Sequence, residues 1–332
     1  MIAGEALAAW LADRAGQQRA RDAIDATALT WSHHPLMNEL EARLAALPER
    51  NAAAVLDAAR AFIDRSDDIQ TMLADLRAGS RADPFFRPPF HPVSSEVQTG
   101  LLLFNHRDLS ISLSMSGVQA FTAKKMDRRG AASISFGGVT ALFRFVKAGG
   151  ATLCIWEAPP IGDDFVAAEA GRCRFVERRR IADGEEIVLD GRRQSFTIEH
   201  ASSDVVYFHA TVRPEAAPLS VEYDSESLAF VSASSTDEAA SRIQMMVSLL
   251  RTMEREDAVP LIVEALASPH FYTRWHVMRE LLALDADAAH PHLRRMAEAD
   301  PHPEVRAAAR QTLDLFFADT AADDEENMAC RA

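Results

Sequence analysis

Cysteine is scarce in this sequence, with three residues in 332, at positions Cys154, Cys173 and Cys330. Cysteines so few and so scattered form neither a disulfide framework nor a zinc ribbon, which favours a reducing compartment. The sequence also has no run of about eighteen apolar residues, the length that a membrane-spanning helix requires. The N-terminal residues mix acidic and basic side chains and lack the apolar run of a signal peptide. We therefore expect a cytoplasmic protein without a membrane-spanning helix.

Positive charge is the second shortage. The chain has 35 Lys and Arg against 49 Asp and Glu, a formal net charge of −14. Because binding to nucleic acid or to anionic membranes depends on clustered basic side chains, neither is an expected partner. Familiar catalytic signatures are also missing, among them Gly-x-Gly-x-x-Gly, the P-loop, His-Glu-x-x-His, Gly-x-Ser-x-Gly and Cys-x-x-Cys. These absences leave only enzymes that are built from scattered residues.

The chain has the composition of a globular protein, with 48% hydrophobic and 25% charged residues, and the length of two or three domains. Residues 1–80 are rich in Ala and Leu at helical spacing, which predicts a region of about four helices. Pro48 is expected near the start of the third helix. Asp67 and Asp68 are expected in the first turn of the fourth, where acidic side chains complement the helix N-terminus.

A proline-rich segment separates this region from the next. Four prolines lie between positions 83 and 92, and they exclude both a continuous helix and a central strand. Residues 81–100 are therefore predicted to be a linker between domains. Its phenylalanines, Phe85, Phe86 and Phe90, are expected to dock the linker onto neighbouring surfaces.

Residues 101–234 are predicted to form a β domain, because at least eight short strand-like segments are separated by turn residues instead of helices. Many short strands without intervening helices imply a sandwich or a barrel. Hairpins are expected between 101–104 and 109–115, between 140–146 and 152–156, and between 195–200 and 205–212. The remaining predicted strands are 172–178, 186–189 and 228–232.

Part of this domain resembles the second sequence motif of the cupins, which are small double-stranded β-helix barrels. The matching residues are the segment 184–191 and the strand 195–200. The resemblance implies a barrel that encloses one small ligand or fills its interior with side chains. However, Gln194 or Ser195 stands where cupins have a metal-binding histidine, and the segment 152–157 has none of the histidines of the first cupin motif. A cupin-like barrel with a degenerate metal site is the expectation.

The sequence repeats itself in residues 235–318. Arg242, Arg274 and Arg306 are separated by 32 residues twice over. The same interval aligns further columns, namely Pro269 with Pro301, His270 with His302, and Leu249 with Leu281. Units of about this length with proline before a helix and arginine a few residues later resemble HEAT-like helical repeats. The resemblance implies stacked helix pairs that build a binding surface.

About two and a half such units are present, too few to bury their own faces. We therefore expect the repeat to lean on the barrel or on the N-terminal helices, or to complete itself in a homodimer. The repeated positions of His270 and His302 favour a structural role for these histidines. Residues 319–332 are predicted to form a solvated acidic tail.

The sharpest enzymatic hypothesis is an iron(II) site. His106 and Asp108 have the His-x-Asp spacing of the oxygenases that use iron(II) and 2-oxoglutarate, and His200 follows about ninety residues later. Arg213 could hold the carboxylate of 2-oxoglutarate with two hydrogen bonds. The alternative is that Asn105 to Asp108 are simply good turn residues between two strands.

Two further groups suggest a small-ligand site. His200, Tyr207 and His209 share one predicted strand face, and as pocket-lining polar groups they could bind a ligand inside the barrel. Arg172 and Arg174 share another face and could hold a carboxylate or phosphate. The alternatives are hydrogen-bonded core histidines and solvated ion pairs with nearby glutamates.

The sequence thus predicts an α+β multidomain protein with N-terminal helices, a central cupin-like antiparallel β-barrel or sandwich, and C-terminal HEAT-like helices. The expected function is non-catalytic binding. In this interpretation the barrel holds a small molecule or peptide, and the helices contact a protein partner or the rest of the chain. An iron(II)-dependent oxygenase is the alternative, and the sequence does not decide whether the protein is an enzyme.

Overall fold

The computed structural model describes residues 8–82, 86–119, 133–162 and 165–317. They form two compact units, each built from separate stretches of the chain. The first unit comes from Met1–Ala158, Cys173–Ala216 and Asp224–Leu228, and the second from Pro159–Arg172, Ala217–Tyr223 and Ala229–Ala332. Each unit contains both helices and strands.

The first unit begins with helices α1 (Arg14–Ser32), α2 (Pro35–Ala45), α3 (Ala52–Ile63) and α4 (Ser66–Ala82). Helix α3 begins later than predicted from Pro48, because the Asn51 side chain caps it by accepting a hydrogen bond from the Ala54 N–H at 2.9 Å. Asp67 and Asp68 lie in the first turn of α4, as predicted. In the segment predicted to be a linker, Phe90 packs against Trp31 with ring centroids 5.8 Å apart. Phe85 lies outside the described residues.

Two antiparallel sheets follow in the first unit. One has the strand order β1-β2-β3-β10-β5-β8 and the other the order β7-β6-β9, and β4 lies beside β9, where the Ser195 hydroxyl donates to the Ser135 carbonyl at 2.5 Å. The strands are β1 (His91–Ser94), β2 (Gln98–Asn105), β3 (Leu109–Ser116), β4 (Ser133–Phe136), β5 (Thr140–Lys147), β6 (Thr152–Glu157), β7 (Arg174–Arg180), β8 (Glu186–Asp190), β9 (Gln194–His200) and β10 (Val205–Val212).

The predicted hairpin of β2 and β3 is confirmed by their pairing, but the other two predicted hairpins are wrong. Strand β5 pairs with β10 and β8, whereas β6 pairs with β7 and β9, so the chain crosses between the sheets at Gly149 and Gly150. Both glycines have positive φ, and a Cβ on Gly149 would lie 2.4 Å from the Ser203 carbonyl oxygen. Strands β9 and β10 are likewise split between the two sheets. The sequence of a polar turn is the same whether the turn closes a hairpin or carries the chain from one sheet to the other.

Alternation along β3 and β10 gives the first unit two cores. The outward side chains, such as Ile111 and Ala210, pack with α2, α3 and α4 in one apolar cluster that includes Val55 and Phe62. The inward side chains belong to a second cluster between the two sheets, which includes Phe145. The N-terminal helices therefore cover one face of the larger sheet.

Among its described residues, the second unit contains a 3₁₀ turn (Ala167–Glu169), strands β11 (Leu219–Asp224) and β12 (Phe230–Ser235), a second 3₁₀ turn (Glu256–Ala258) and five α-helices. The helices are α5 (Glu238–Thr252), α6 (Val259–Ala265), α7 (Phe271–Leu284), α8 (Ala286–Ala299) and α9 (Pro303–Phe316). Val277, Met278 and Leu281 on α7 are fully buried in their shared core. Strands β11 and β12 pair with each other, so the helical repeat is accompanied by its own β hairpin.

The arginines of the repeat hold its turns. The Arg274 guanidinium donates to the carbonyls of Ser268 at 3.1 Å and Pro269 at 2.9 Å, and Arg306 makes the equivalent bonds to Asp300 and Pro301. These bonds satisfy carbonyl groups that the turn before each helix leaves open. Arg242 differs, because it pairs with Glu238 on its own helix. The repeated arginine therefore holds the turn in the last two units of the repeat, but not in the first.

The α+β class with helices at both ends and antiparallel sheets between them is confirmed. Among the described residues, no helix has both the length and the apolar character required to cross a bilayer.

Candidate functional site

The residues of the iron hypothesis lie in two separate places. His106 and Asp108 form the turn between β2 and β3, where the Asp108 N–H donates to the His106 Nδ1 at 3.2 Å. The Asp108 carboxylate is 3.5 Å from the Arg50 guanidinium, and the His106 carbonyl accepts a hydrogen bond from Arg213 at 2.8 Å. His200 is exposed at the end of β9, opposite Thr152.

The donor set therefore does not fit an iron centre. Within the described ranges, no three His, Cys, Asp or Glu side chains come together in a way that could hold a metal ion. At the cupin metal position, the Gln194 side chain accepts from the Asp190 N–H at 3.3 Å, and Ser195 is bonded to the neighbouring strand.

Tyr207 and His209 do lie together, on the inward face of β10. The neighbouring strand β3 presents a row of serines to the same interior, Ser110, Ser112, Ser114 and Ser116. The Tyr207 hydroxyl is 3.3 Å from the Ser116 hydroxyl, and Ser112 and Ser114 are 3.3 Å apart. The inward polar groups thus bond largely to one another.

His209 is stacked on Phe143, with ring centroids 4.4 Å apart and planes inclined by 7°. Its Nε2 is 3.4 Å from the Thr211 hydroxyl. Although part of the ring surface is accessible, the surrounding atoms exclude enough water that burial lowers the pKa of His209 to about 4. The imidazole is therefore neutral at physiological pH and contributes a polar but uncharged group to the interior.

The two arginines of the anion hypothesis are not assembled into a pocket. Strand β7 is exposed along its whole length, and Arg174 forms an ion pair with Glu157. Neighbouring arginines follow the same pattern, since Arg178 pairs with Glu199 and Arg179 with Glu185. Arg172 belongs to the second unit, where it bridges to Ala229. The arrangement is that of a solvated, paired strand face.

A concave site lies within the second unit. A cleft of about 610 Å³ is bounded by the segment 165–167, by β11 and β12, and by α5, α7 and α9. Aromatic side chains form much of its wall, among them Phe165, Phe230, Tyr272 and Trp275. Polar groups from Ser235, Gln244 and Arg279 also face it. A concave, largely aromatic wall with a few polar groups is the usual form of a ligand site.

Hydrogen bonds fix the walls of this cleft. The Tyr272 hydroxyl is 3.0 Å from the Ser235 hydroxyl, which ties α7 to β12. The Glu304 carboxylate accepts from the Ala167 N–H at 2.9 Å, which ties α9 to the 3₁₀ turn. Phe271 stacks on His302 with ring centroids 3.8 Å apart. Because bonds of this kind pre-order the walls, a ligand would meet a site that is already formed.

The charged groups around the cleft differ in their availability. Glu304 is engaged by the backbone of Ala167, and His276 lies 3.0 Å from the Ser248 hydroxyl. Arg279 is exposed and makes no ion pair with any residue that the structure describes. A carboxylate of a ligand could therefore pair with Arg279 without first displacing another partner.

Sequence reasoning did not identify this site. No functional role was predicted from the sequence for Tyr272, Trp275 or Arg279. The available signal was their spacing on one helix, since Tyr272, Trp275 and Arg279 follow each other at intervals of three and four residues. What the sequence could not supply was the opposite wall, which comes from β12 and from residues 165–167.

Comparison with known proteins supports the architecture. Residues 229–314, about a quarter of the chain, match the family model described as HEAT repeats. No curated protein sequence matches the chain. The repeat prediction is thus confirmed for the C-terminal helices.

Solved structures similar to the chain include a cupin domain and two proteins named by their activity or metal. Ectoine synthase from P. lautus is 11% identical, with 37% of this chain and 69% of that one covered and a TM-score of 0.23. A cupin domain from Bordetella pertussis Tohama I is 7% identical, with 36% and 98% covered and a TM-score of 0.22. Fe(II)-HppE with an alternative substrate is 8% identical, with 37% and 55% covered and a TM-score of 0.25. Similarities this low carry no information about activity. The chain thus joins antiparallel sheets to C-terminal helices that match the HEAT-repeat family model.

Proposed function

We propose that the protein is a non-catalytic binding protein and that the cleft of the second unit holds a peptide segment of a protein partner. The observation that carries this proposal is the cleft itself, with its volume of about 610 Å³ and its aromatic walls. Ligand sites commonly have volumes of roughly 300–1,000 Å³. The cleft is therefore large enough for several residues of an extended peptide.

The surroundings of the cleft support a protein partner. HEAT repeats form extended surfaces from stacked helices, and the cleft lies along α5, α7 and α9 of this repeat. Tyr272 and Trp275 are residue types that often dominate binding energy at protein interfaces. They stand on a helix whose opposite face is buried in the core, which keeps them in place.

A small-molecule site inside the barrel is the second candidate, because Tyr207 and His209 face the interior between the sheets. Their neighbours Phe143 and Phe196 pack in the same space, with centroids 4.8 Å apart. The paired hydroxyl groups and packed aromatic rings favour a core over an open pocket, so the cleft is the stronger candidate.

The proposal is tested by blocking the cleft. The full-length protein is used to select binders from a displayed library of random twelve-residue peptides, and the affinity of a selected peptide is measured by fluorescence anisotropy. Ala308 lines the cleft on α9, whereas its neighbour Ala307 is exposed outside it. We expect Ala308→Trp to weaken binding at least tenfold and Ala307→Trp to leave it unchanged.

Two results would overturn the proposal. One is a selection that enriches no peptide. The other is a peptide that binds the Ala308→Trp and Ala307→Trp variants equally well. Circular dichroism of both variants, compared with the parent protein, separates loss of binding from loss of folding.

A further inference from the structure

Strand β12 forms one wall of the cleft and has a free edge. It pairs with β11 on one side, and no described strand pairs with its other side. The register is known, because Leu219 lies opposite Ser235 and Val221 opposite Ala233. The Thr236 N–H donates to the Pro218 carbonyl at 3.2 Å, so the pair next to Leu219 and Ser235 is a hydrogen-bonded one.

Hydrogen-bonded and non-hydrogen-bonded pairs alternate along an antiparallel ladder. The pair of Ser220 and Ser234 is therefore bonded as well, which agrees with the contact of 3.3 Å between the Ser220 hydroxyl and the Ser234 carbonyl. By the same alternation, the backbone N–H and C=O groups of Ala233 and Ser235 point away from β11. Both residues line the cleft. The wall thus offers unpaired backbone donors and acceptors to a ligand.

The edge of β12 also lacks the usual protection against strand addition. Natural edge strands are commonly guarded by charged residues or proline. Strand β12 reads Phe-Val-Ser-Ala-Ser-Ser, with neither, and Val231 is 57% exposed. An unguarded edge beside an aromatic cleft is the arrangement that accepts an extended peptide.

Resting on the function proposed above, we propose that the partner's segment binds as an added β-strand along the outer edge of β12, with an acidic side chain paired to Arg279. Backbone bonds to Ala233 and Ser235 set the register, and the wall formed by Tyr272 and Trp275 receives an apolar side chain. The net charge of −14 repels an acidic ligand at long range, so the ion pair with Arg279 stabilises the complex only at short range. Loss of this ion pair is therefore expected to lower the affinity for the peptide.

The backbone part is tested with the selected peptide, N-methylated at one position at a time. N-methylation removes one backbone donor and leaves the side chain in place. Because only every second residue of an added strand bonds to β12, we expect a period of two. Binding should weaken at least tenfold at alternate positions and change little at those between.

The acidic contact is tested by a double-mutant cycle. Arg279→Ala should weaken binding about tenfold, and so should replacing the peptide's Asp or Glu by the corresponding amide. Combining both changes should cost no more than either alone. Arg242→Ala is the matched control, because Arg242 is an exposed arginine of the same repeat that pairs with Glu238, and it should leave binding unchanged.

The outcomes separate the two proposals. If no peptide is selected, the proposed function fails. If a peptide binds and is blocked by Ala308→Trp, but N-methylation shows no alternation or Arg279→Ala has no effect, the strand-addition proposal alone fails. A dimer detected by sedimentation and abolished by Val231→Lys would show that a second copy of the chain occupies the edge, which also overturns it.

Discussion

The interior of the first unit and the cleft of the second unit are built from similar side chains but treat them differently. Between the sheets, the Tyr207 hydroxyl is bonded to Ser116, and His209 is stacked on Phe143. In the cleft, Arg279 is exposed and makes no ion pair with a described residue, and the half-buried Trp275 lines the wall beside it. Polar and aromatic groups that satisfy each other stabilise a fold, whereas those left open are available to a ligand. The comparison predicts that substitutions in the first region change stability and those in the second change binding.

The largest expected effect is in the core between the sheets. Phe145 is fully buried there, so Phe145→Ala removes apolar contacts and leaves a cavity. We expect a loss of about 3–5 kcal/mol in the free energy of unfolding, measured by urea titration. Binding of the selected peptide by the protein that remains folded should be unchanged. A loss below about 1 kcal/mol would mean that this interior is loosely packed and open to a ligand.

The next effect concerns the scaffold that carries the cleft. Asp300 and Arg274 form a pair at 2.7 Å, with side chains only 3% and 11% exposed. Burial of Asp300 favours its neutral form, but hydrogen bonds from Arg274 and from the His302 N–H prevail and keep the pKa of Asp300 below its usual value.

Asp300→Ala leaves Arg274 buried without its partner, and we expect a loss of about 3 kcal/mol in the free energy of unfolding of the second unit. The matched control is Glu238→Ala, which breaks the exposed pair with Arg242 and should change it by less than about 0.5 kcal/mol. Equal effects of the two variants would show that the buried pair does not hold the repeat together.

A smaller effect depends on pH. The pKa of His209 is about 4 in the folded protein, against 6.5 for an ordinary histidine. Between these values the unfolded chain binds a proton and the folded chain does not, so stability falls as the pH is lowered from 6.5 to 4. The slope should be on the order of 1 kcal/mol per pH unit.

The His209 contribution is isolated by comparing urea titrations of the parent and the His209→Gln variant at several pH values in this range. The difference in the free energy of unfolding between the two proteins should shift with pH by that slope. A difference that stays constant with pH would mean that His209 is solvated and protonates normally.

The smallest effect is expected on the exposed face of β7. Arg174 is 67% exposed and pairs with Glu157. Arg174→Ala should change the free energy of unfolding by less than about 0.5 kcal/mol. It should also leave the affinity for inorganic phosphate, measured by calorimetry, unaltered. A measurable phosphate affinity that this substitution removes would revive the anion site suggested by the sequence.

Local sequence patterns predicted where helices, strands and turns lie better than they predicted which strands pair with each other. Acidic residues marked the first turn of α4, and turn residues marked the hairpin of β2 and β3. The spacing of Arg274 and Arg306 identified a repeat whose turns those arginines hold. In each case the interacting groups lie close together in the chain, so the sequence contains the whole interaction.

The errors arose where the interaction is long-range. The turns around Gly149 and between His200 and Val205 looked like hairpins, but each carries the chain from one sheet to the other. Strand β11 was missed, although Leu219, Val221 and Tyr223 alternate with polar residues and are buried. The cleft could not be predicted because its walls come from segments more than a hundred residues apart.

In the proposed function, the ligand binds in the cleft of the second unit and not in the interior between the two sheets of the first. The most direct measurement is amide hydrogen exchange of the full-length chain with and without a saturating concentration of the selected peptide. Slower exchange in β12 and α7, with strands β3 and β10 unchanged, is the predicted result. Protection confined to β3 and β10 would contradict the account and place the ligand between the sheets.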